Sequence, residues 1–426
     1  MFNKYIYPWL VLILLCGAYF FHQADRALFG LLTDPIQQDL GLSNGDIGWI
    51  NTALSWTLAF MTMIAGFAGD RLPRKWLITV SLIFWSLMTV CMGFVGGFVS
   101  VLFFRSIATG GGESFYGPSA MALLASHHKR TRSIAFSIHQ SAIYVGLMSS
   151  GVLTALALRF FGHWRFVFIV FGAAGLFLGI LFIFALHEKR EDEGIAVAKN
   201  HQTFIEFLKG LAVSLWAFIG NPSALLATTG FVAIVFVNNA YLFWAPKFMI
   251  QKFAVDVSEA GTQMMFWHHF AALAAILVGG VVTDIFVTKM PRFRLMFQIV
   301  ALLAGAPCLY LIGESTSVSI MLMMTAAYGI FRGFFEVNTH ASVFDVVPPR
   351  HRATVVGCMI MCAFFFGGFS GVLMGKLSDL YGVRGFEIGF LIMAASYVVA
   401  ALLMMISFFF TFKRNAIIYS QEGEES

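Results

Sequence analysis

Charge is what this sequence has least of. Asp, Glu, Lys and Arg make up only 12% of its 426 residues and apolar residues 59%, whereas an ordinary soluble domain carries about 25% charge. A water-soluble molecule of this composition would expose apolar patches large enough to aggregate, which excludes the soluble globular class. Cysteine is sparse as well: Cys16, Cys91, Cys308, Cys358 and Cys362 all fall inside apolar runs, so no spacing suits a disulfide framework or a metal cluster. The net charge of +5 comes from scattered loop lysines and arginines, without the basic tract that a nucleic-acid partner requires. No nucleophile shares a defined motif with a base, so a Ser-His-Asp or H-x-x-x-H enzyme finds no support. No N-x-[ST] sequon occurs, which suits a bacterial inner membrane.

What is present is long apolar runs. Twelve are long enough to span a bilayer as helices, from 8–32 at the start to 386–411 at the end. The polar stretch HEKREDEGIAVAKNHQTFIEFLKG (187–210) separates six runs from six. The expected organisation is a six-helix bundle over 1–186, a cytoplasmic linker over 187–221, a second six-helix bundle over 222–412 and a cytoplasmic tail over 413–426. The first run lacks an A-x-A-type cleavage site and reads as a retained span. If the N-terminus is cytoplasmic, eighteen of the 27 Lys and Arg residues lie on that side. The positive-inside rule then puts both termini in the cytoplasm.

The loop after the second run reads GFAGDRLPRK, with Gly66, Asp70, Arg71, Arg74 and Lys75 in G-x-x-x-D-R-x-x-R-[RK] spacing. Half a chain later Gly280-x-x-x-Asp284, followed by basic residues, repeats it loosely. HHKRTRSIAFSI after the fourth run has its echo in PPRHRATVVGCMI after the tenth. The pattern resembles the gating signature of the major facilitator superfamily. That resemblance implies an all-α membrane protein of twelve transmembrane helices, in two six-helix halves related by pseudo-two-fold symmetry. Three further segments, QADRALFG (23–30), FFRSIATGGGESFYGPSA (103–120) and LFWAPKFM (242–249), resemble the anion:cation symporter branch of sugar-acid and sialate carriers. Spinster-type lipid carriers share the Asp-Arg pair and the Gly-Glu. In the symporter branch, the residue matching Arg26 holds the substrate carboxylate and that matching Asp25 carries a proton. Glu113 would be a second protonatable group with Arg105 as its partner.

Helical geometry refines these roles. A charge at the centre of a spanning helix costs about 2.5–3.5 kcal/mol on insertion scales, so such residues tend to be functional. Tyr19, His22 and Arg26 share one face at i, i+3 and i+7, while Asp25 is turned about 100° from Arg26. Glu113 follows Arg105 by eight residues where the family has seven, and a π-bulge within TGGG would restore the phase. Alternatively, those glycines serve only tight packing. His139, Gln140 and Tyr144 in the fifth run, and Asn238, Asn239, Tyr241 and Trp244 in the seventh, suit sugar hydroxyls and ring faces. Each is equally suited to an interhelical contact. Arg332, Glu336 and His340 lie at i, i+4, i+8, a stripe with Glu336 as a proton carrier and His340 as a substrate contact, or else a structural ion pair. The histidines of WHH (267–269) read as satisfied by neighbours.

These features point to proton-coupled symport of an organic anion, such as a uronate, aldonate or sialate, by a monomer with no cofactor or metal. A Spinster-like lysolipid carrier and an organic-anion antiporter are the alternatives. The orientation is directly testable: green fluorescent protein fused after Ser426 should fluoresce, and alkaline phosphatase at the same point should be inactive. The reverse result would invert the topology.

Overall fold

The structure is a computed structural model that describes residues 6–69, 72–128, 131–187, 218–348 and 352–416, with a few positions between 209 and 216. All regular structure among the described residues is helical. The first half comprises α1 (Tyr7–Leu31), α2 (Thr33–Leu40), α3 (Asn44–Gly69) and α4 (Arg74–Met92). A segmented span follows, made of α5 (Phe98–Val101), a π-helical turn (Leu102–Ala108), α6 (Thr109–Glu113) and α7 (Tyr116–His127); α8 (Arg132–Phe161) and α9 (Trp164–Ala185) complete it. The second half comprises α10 (Pro222–Phe253), α11 (Val257–Val287), α12 (Phe293–Gly313), α13 (Val318–Glu336), α14 (Thr339–Phe344), α15 (Arg352–Tyr381) and α16 (Val383–Ile406).

Ten stretches among the described residues are long and apolar enough to cross a membrane. Of the other two apolar runs, one lies within α3 and the other is the segmented span. Large apolar side chains such as Phe166, Phe177 and Phe184 point outward from α9, as they would toward lipid rather than water. In the first unit Leu12, Leu15, Ile78, Leu82, Leu123 and Phe182 form an apolar cluster around the early turns of α1, and the polar residues of α1 begin above it. α8 stops at Gly162, whose φ of +72° lets its N–H bond back to the Leu158 carbonyl, a conformation that glycine adopts without a Cβ penalty.

The chain folds into two compact units. One gathers the first six spans together with Leu242–Ile250 and Ala254–Phe266; the other holds most of the second half. Within the first unit Lys247 bonds Asp34 at 2.7 Å and also meets Gln37. Most of the linker expected over 187–221 lies outside the described residues, as do Asp70 and Arg71 of the gating signature and the last ten residues of the tail. Of the remaining gating positions, Gly66 lies within α3, Arg74 and Lys75 open α4, and Asp284 is exposed on α11. Lys75 donates to the Ile183 carbonyl at 2.8 Å.

Helix contacts are close where glycine permits. A Cβ at Gly146 of α8 would stand 2.6 Å from the Phe20 carbonyl oxygen of α1, whereas one at Gly357 of α15 would meet nothing within 4 Å. Overpacking of this kind costs about 1–3 kcal/mol. Gly146→Ala should therefore lower the melting temperature of the purified protein in detergent, while Gly357→Ala should leave it unchanged or raise it slightly. Equal effects would mean that α1 and α8 are not in this contact.

Candidate functional site

The apolar wall of α1 gives way at Tyr19 to a run of polar side chains, and the segmented span faces them. Its shape follows from its glycines. A Cβ at Gly110 would come 2.8 Å from Leu54 of α3, and one at Gly112 would come 2.8 Å from Phe84 of α4. Gly111 has only Met61 near it, at 3.8 Å. Two of the three glycines therefore serve tight packing, and TGGG itself is α-helical. The π turn falls one step earlier, over Leu102–Ala108, and carries Arg105. The Thr109 hydroxyl donates to the Phe104 carbonyl at 2.7 Å, five residues back. This wide turn absorbs the extra residue, so that both Arg105 and Glu113 reach α1.

The four charges pair crosswise. Arg26 Nε lies 3.1 Å from Glu113, and Arg105 lies 3.6 Å from Asp25. Arg105 also donates to the Arg26 carbonyl at 3.0 Å, and the Thr89 hydroxyl donates to Asp25 at 3.0 Å. The Arg105–Glu113 pairing implied by the family resemblance is thus replaced by a different one. Asp25 and Arg26 diverge around the helix and cannot share a partner, so each takes an opposite charge from the segmented span. Exposure separates the four groups: the Arg26 side chain is 20% exposed, while Asp25, Arg105 and Glu113 are at 5% or below. Arg26 is the one that a ligand can reach without first moving another charge.

A ladder of rings extends from this cluster. The Gln23 amide bonds His22 Nδ1 at 3.0 Å, which leaves the ring proton on Nε2, 3.4 Å from Glu113. Tyr19 lies 5.7 Å from His22 and stacks on His139 at 4.6 Å. The Tyr116 hydroxyl donates to the Leu15 carbonyl at 2.6 Å and accepts from His139 Nε2 at 3.2 Å. The Nδ1 lone pair of fully buried His139 has no partner among the described residues, an exception to the general rule that buried polar atoms are satisfied. Tyr144 is buried on the same helix, whereas Gln140 is exposed. Thr89, Tyr116 and Trp85, which packs edge-on against both His22 and Tyr116, were not apparent from the sequence. Neither was Asn51 of α3, which is buried with both carboxamide atoms unpartnered among the described residues.

The second unit holds a separate constellation. Arg332 meets Glu336 at 3.2 Å and His268 at 2.9 Å, with Tyr241 and Tyr328 packed on the His268 ring. The expected stripe is interrupted before His340, which stays within electrostatic reach of Glu336. α13 ends at Glu336, Val337 and Asn338 form a turn, and His340 sits exposed on α14 with its ring 6.4 Å from Phe231. The segmented span turns in the same way just after Glu113, at Ser114 and Phe115. Asn238 and Asn239 are half-buried on α10, and Asn238 Oδ1 is unpartnered among the described residues. Trp244, three residues beyond Tyr241, is fully buried in the first unit.

The Major Facilitator Superfamily model matches residues 15–324 and 270–423. The chain belongs to this superfamily. It is therefore a multi-pass membrane protein and a secondary transporter rather than an enzyme. Protein spinster homolog 1 of Xenopus tropicalis is 27% identical over 82% of this chain and 69% of its own length. A probable galactarate/D-glucarate transporter of Bacillus subtilis is 25% identical over 80% of this chain and 79% of its own, and the hexuronate transporter of the same organism is 24% identical over 96% of each. Among solved structures, a bacterial homolog of the human lysosomal transporter Spinster, inward-facing and occupied, superposes with a TM-score of 0.82 at 20% identity, covering 96% of this chain and 98% of its own. That likeness supports the fold.

The crossed pairing makes a measurable statement. Double-mutant cycles on melting temperature should show coupling for Arg26/Glu113 and for Asp25/Arg105, about 0.5–3 kcal/mol for groups in contact. The Arg105/Glu113 cycle, whose partners act on each other without a direct contact, should show the smaller coupling. Coupling that is strongest for Arg105/Glu113 would reject the arrangement.

Proposed function

We propose that this transporter carries an organic anion, a sugar acid, into the cytoplasm together with protons, by alternating access, with both termini cytoplasmic. The observation that carries the reading is that one arginine of a neutral, buried, four-charge cluster is open to a ligand. A guanidinium matches a carboxylate bidentately and stays charged when partly dried. A carboxylate arriving at Arg26 takes it from Glu113, which is left buried without its counter-charge. An isolated buried carboxylate is costly, and taking up a proton removes that cost. Two arginines balance Asp25 and Glu113 when the site is empty; a bound monocarboxylate adds one negative charge, and one proton restores neutrality. Asp25, held by Arg105 and Thr89, is the second proton carrier.

Tyr19, His22 and His139 lie ring to ring beside the cluster and, with Tyr144 from the same helix as His139, would supply the hydroxyl and ring contacts that a sugar acid needs, with the unpartnered His139 Nδ1 as one acceptor. We assign Asn238, Asn239, Tyr241 and Trp244 to the same task. The gating residues Gly66, Asp70, Arg71, Arg74, Lys75 and Asp284 would govern the cytoplasmic side. Relatives that include galactarate/D-glucarate, D-galactonate and hexuronate transporters agree with this substrate class.

A lysolipid carrier is the second reading. It is favoured by the Spinster relatives and by an apolar groove of 640 Å³ in the second unit, lined by Leu225, Val232, Phe236, Phe366 and Leu403. In proteoliposomes, an inward proton gradient should drive accumulation of D-galactonate or D-glucuronate. Glu113→Gln and Asp25→Asn should abolish accumulation, and Arg26→Lys should weaken binding at least tenfold, about the worth of one charge-assisted hydrogen bond. Full gradient-driven accumulation by Asp25→Asn would remove its proton role. Thermal stabilisation by lysolipids with none from sugar acids would select the second reading.

A further inference from the structure

The second unit contains a charged cluster that the transport scheme above leaves unused. α13 lies against α11 through a glycine pair spaced by one turn. A Cβ at Gly333 would stand 2.5 Å from the Ala272 carbonyl oxygen, and one at Gly329 would collide with that of His268. Small residues at this spacing let two helices approach to backbone contact. The approach brings Arg332, next to Gly333, against His268. Arg332 Nη1 donates to His268 Nε2 at 2.9 Å. Because a guanidinium only donates, His268 accepts through a lone pair and is neutral in this contact. The His268 ring is fixed in turn: it stacks on Tyr328 at 4.8 Å, lies 4.5 Å from Tyr241 and meets His269 edge-on at 4.7 Å.

The opposite side of the guanidinium is different. Nη2 meets Glu336 at 3.2 Å, and the Glu336 side chain is 36% exposed against 8% for Arg332. A pair that served only to lock helices together would be enclosed on both sides, and this one joins two residues of the same helix. Glu336 is also the last residue of α13. The turn beyond it is anchored separately by the Asn338 amide, which donates to Thr283 at 3.0 Å. The carboxylate can swing away without any backbone contact being broken.

We propose that Arg332 is a second carboxylate-binding site, held rigid by His268 and occupied in the empty protein by Glu336 as an internal competitor. An organic carboxylate that makes the two parallel bonds a guanidinium fork favours displaces Glu336 from Arg332, and Glu336 moves out toward its exposed side. The inference rests on the organic-anion reading only for its choice of probes.

The test is equilibrium binding to the purified full chain by calorimetry, without a gradient and in an Arg26→Lys background, so that it stands apart from the transport experiment. The probes are acetate, D-glucuronate, D-galactonate and glucarate. Adding Glu336→Gln removes the competitor and should tighten binding of at least one probe about tenfold, the worth of one charge-assisted hydrogen bond. Adding Arg332→Lys as well should cancel that gain. Glu336→Asp, which withdraws the carboxylate by one methylene and keeps the charge, should tighten binding in the same direction. The proposal is overturned if Glu336→Gln and Glu336→Asp leave affinity unchanged or lower it, if the gain from Glu336→Gln persists in the presence of Arg332→Lys, or if no probe binds the Arg26→Lys/Glu336→Gln protein.

Discussion

Four charges lie at bilayer depth in the first unit, and everything around them follows from the need to neutralise them inside the protein. Three of them are shut off from solvent, so each needs its partner among neighbouring helices. Span one cannot do this alone, because consecutive residues on a helix point about 100° apart. Asp25 and Arg26 each need a partner from another helix, and the segmented span supplies both. It can do so only because the π turn at Leu102–Ala108 rephases Arg105 against Glu113 and because Gly110 and Gly112 bring its backbone against α3 and α4. Removal of any one of these devices would leave a buried charge without its counterpart.

The second unit meets the same constraint in another way. Arg332 and Glu336 stand one turn apart on a single helix, so no rephasing is needed, and the third contact comes from a neutral histidine on α11. A pair within one helix is more loosely held than a pair across two. This arrangement is accordingly the more open, with a partly exposed glutamate side chain where the first unit has a fully buried one. Both spans turn directly after their glutamate, at Ser114–Phe115 and at Val337–Asn338. The internal repeat therefore extends to the place where each charged helix is interrupted.

Composition and the positions of apolar runs carried most of the fold, since hydrophobic length is a local property that tertiary context rarely overrides in a bilayer. The identity of the charged residues in the first site was equally legible, because charge inside an apolar run stands out against its background. The pairing was not. It depends on helix phase, and a single inserted residue at the π turn, one step away from the glycines that seemed to mark it, decides which acid meets which arginine. The break in the stripe over Arg332, Glu336 and His340 was hidden for a related reason: periodicity assumes an unbroken helix, and the turn at Val337–Asn338 leaves no local signal strong enough to announce it. Thr89 and Tyr116 were missed because a hydroxyl or ring gains its role only from the side chain brought opposite it, and His268, read as satisfied by neighbours, could not be matched to Arg332 for the same reason.

Neutrality also limits what the first site can carry. The empty cluster balances two acids against two arginines. A monocarboxylate at Arg26 upsets that balance by one charge and a dicarboxylate by two. Asp25 and Glu113 can each accept a proton, so these two acids together can compensate two added negative charges. Occlusion of a charged, unbalanced site would carry the burial cost of an isolated ion, while a balanced one would not. A ligand shifts a conformational equilibrium only by its differential affinity for the two states. In the proposed scheme that difference comes from charge: the anion and its compensating proton together would let the site close, and either one alone would not.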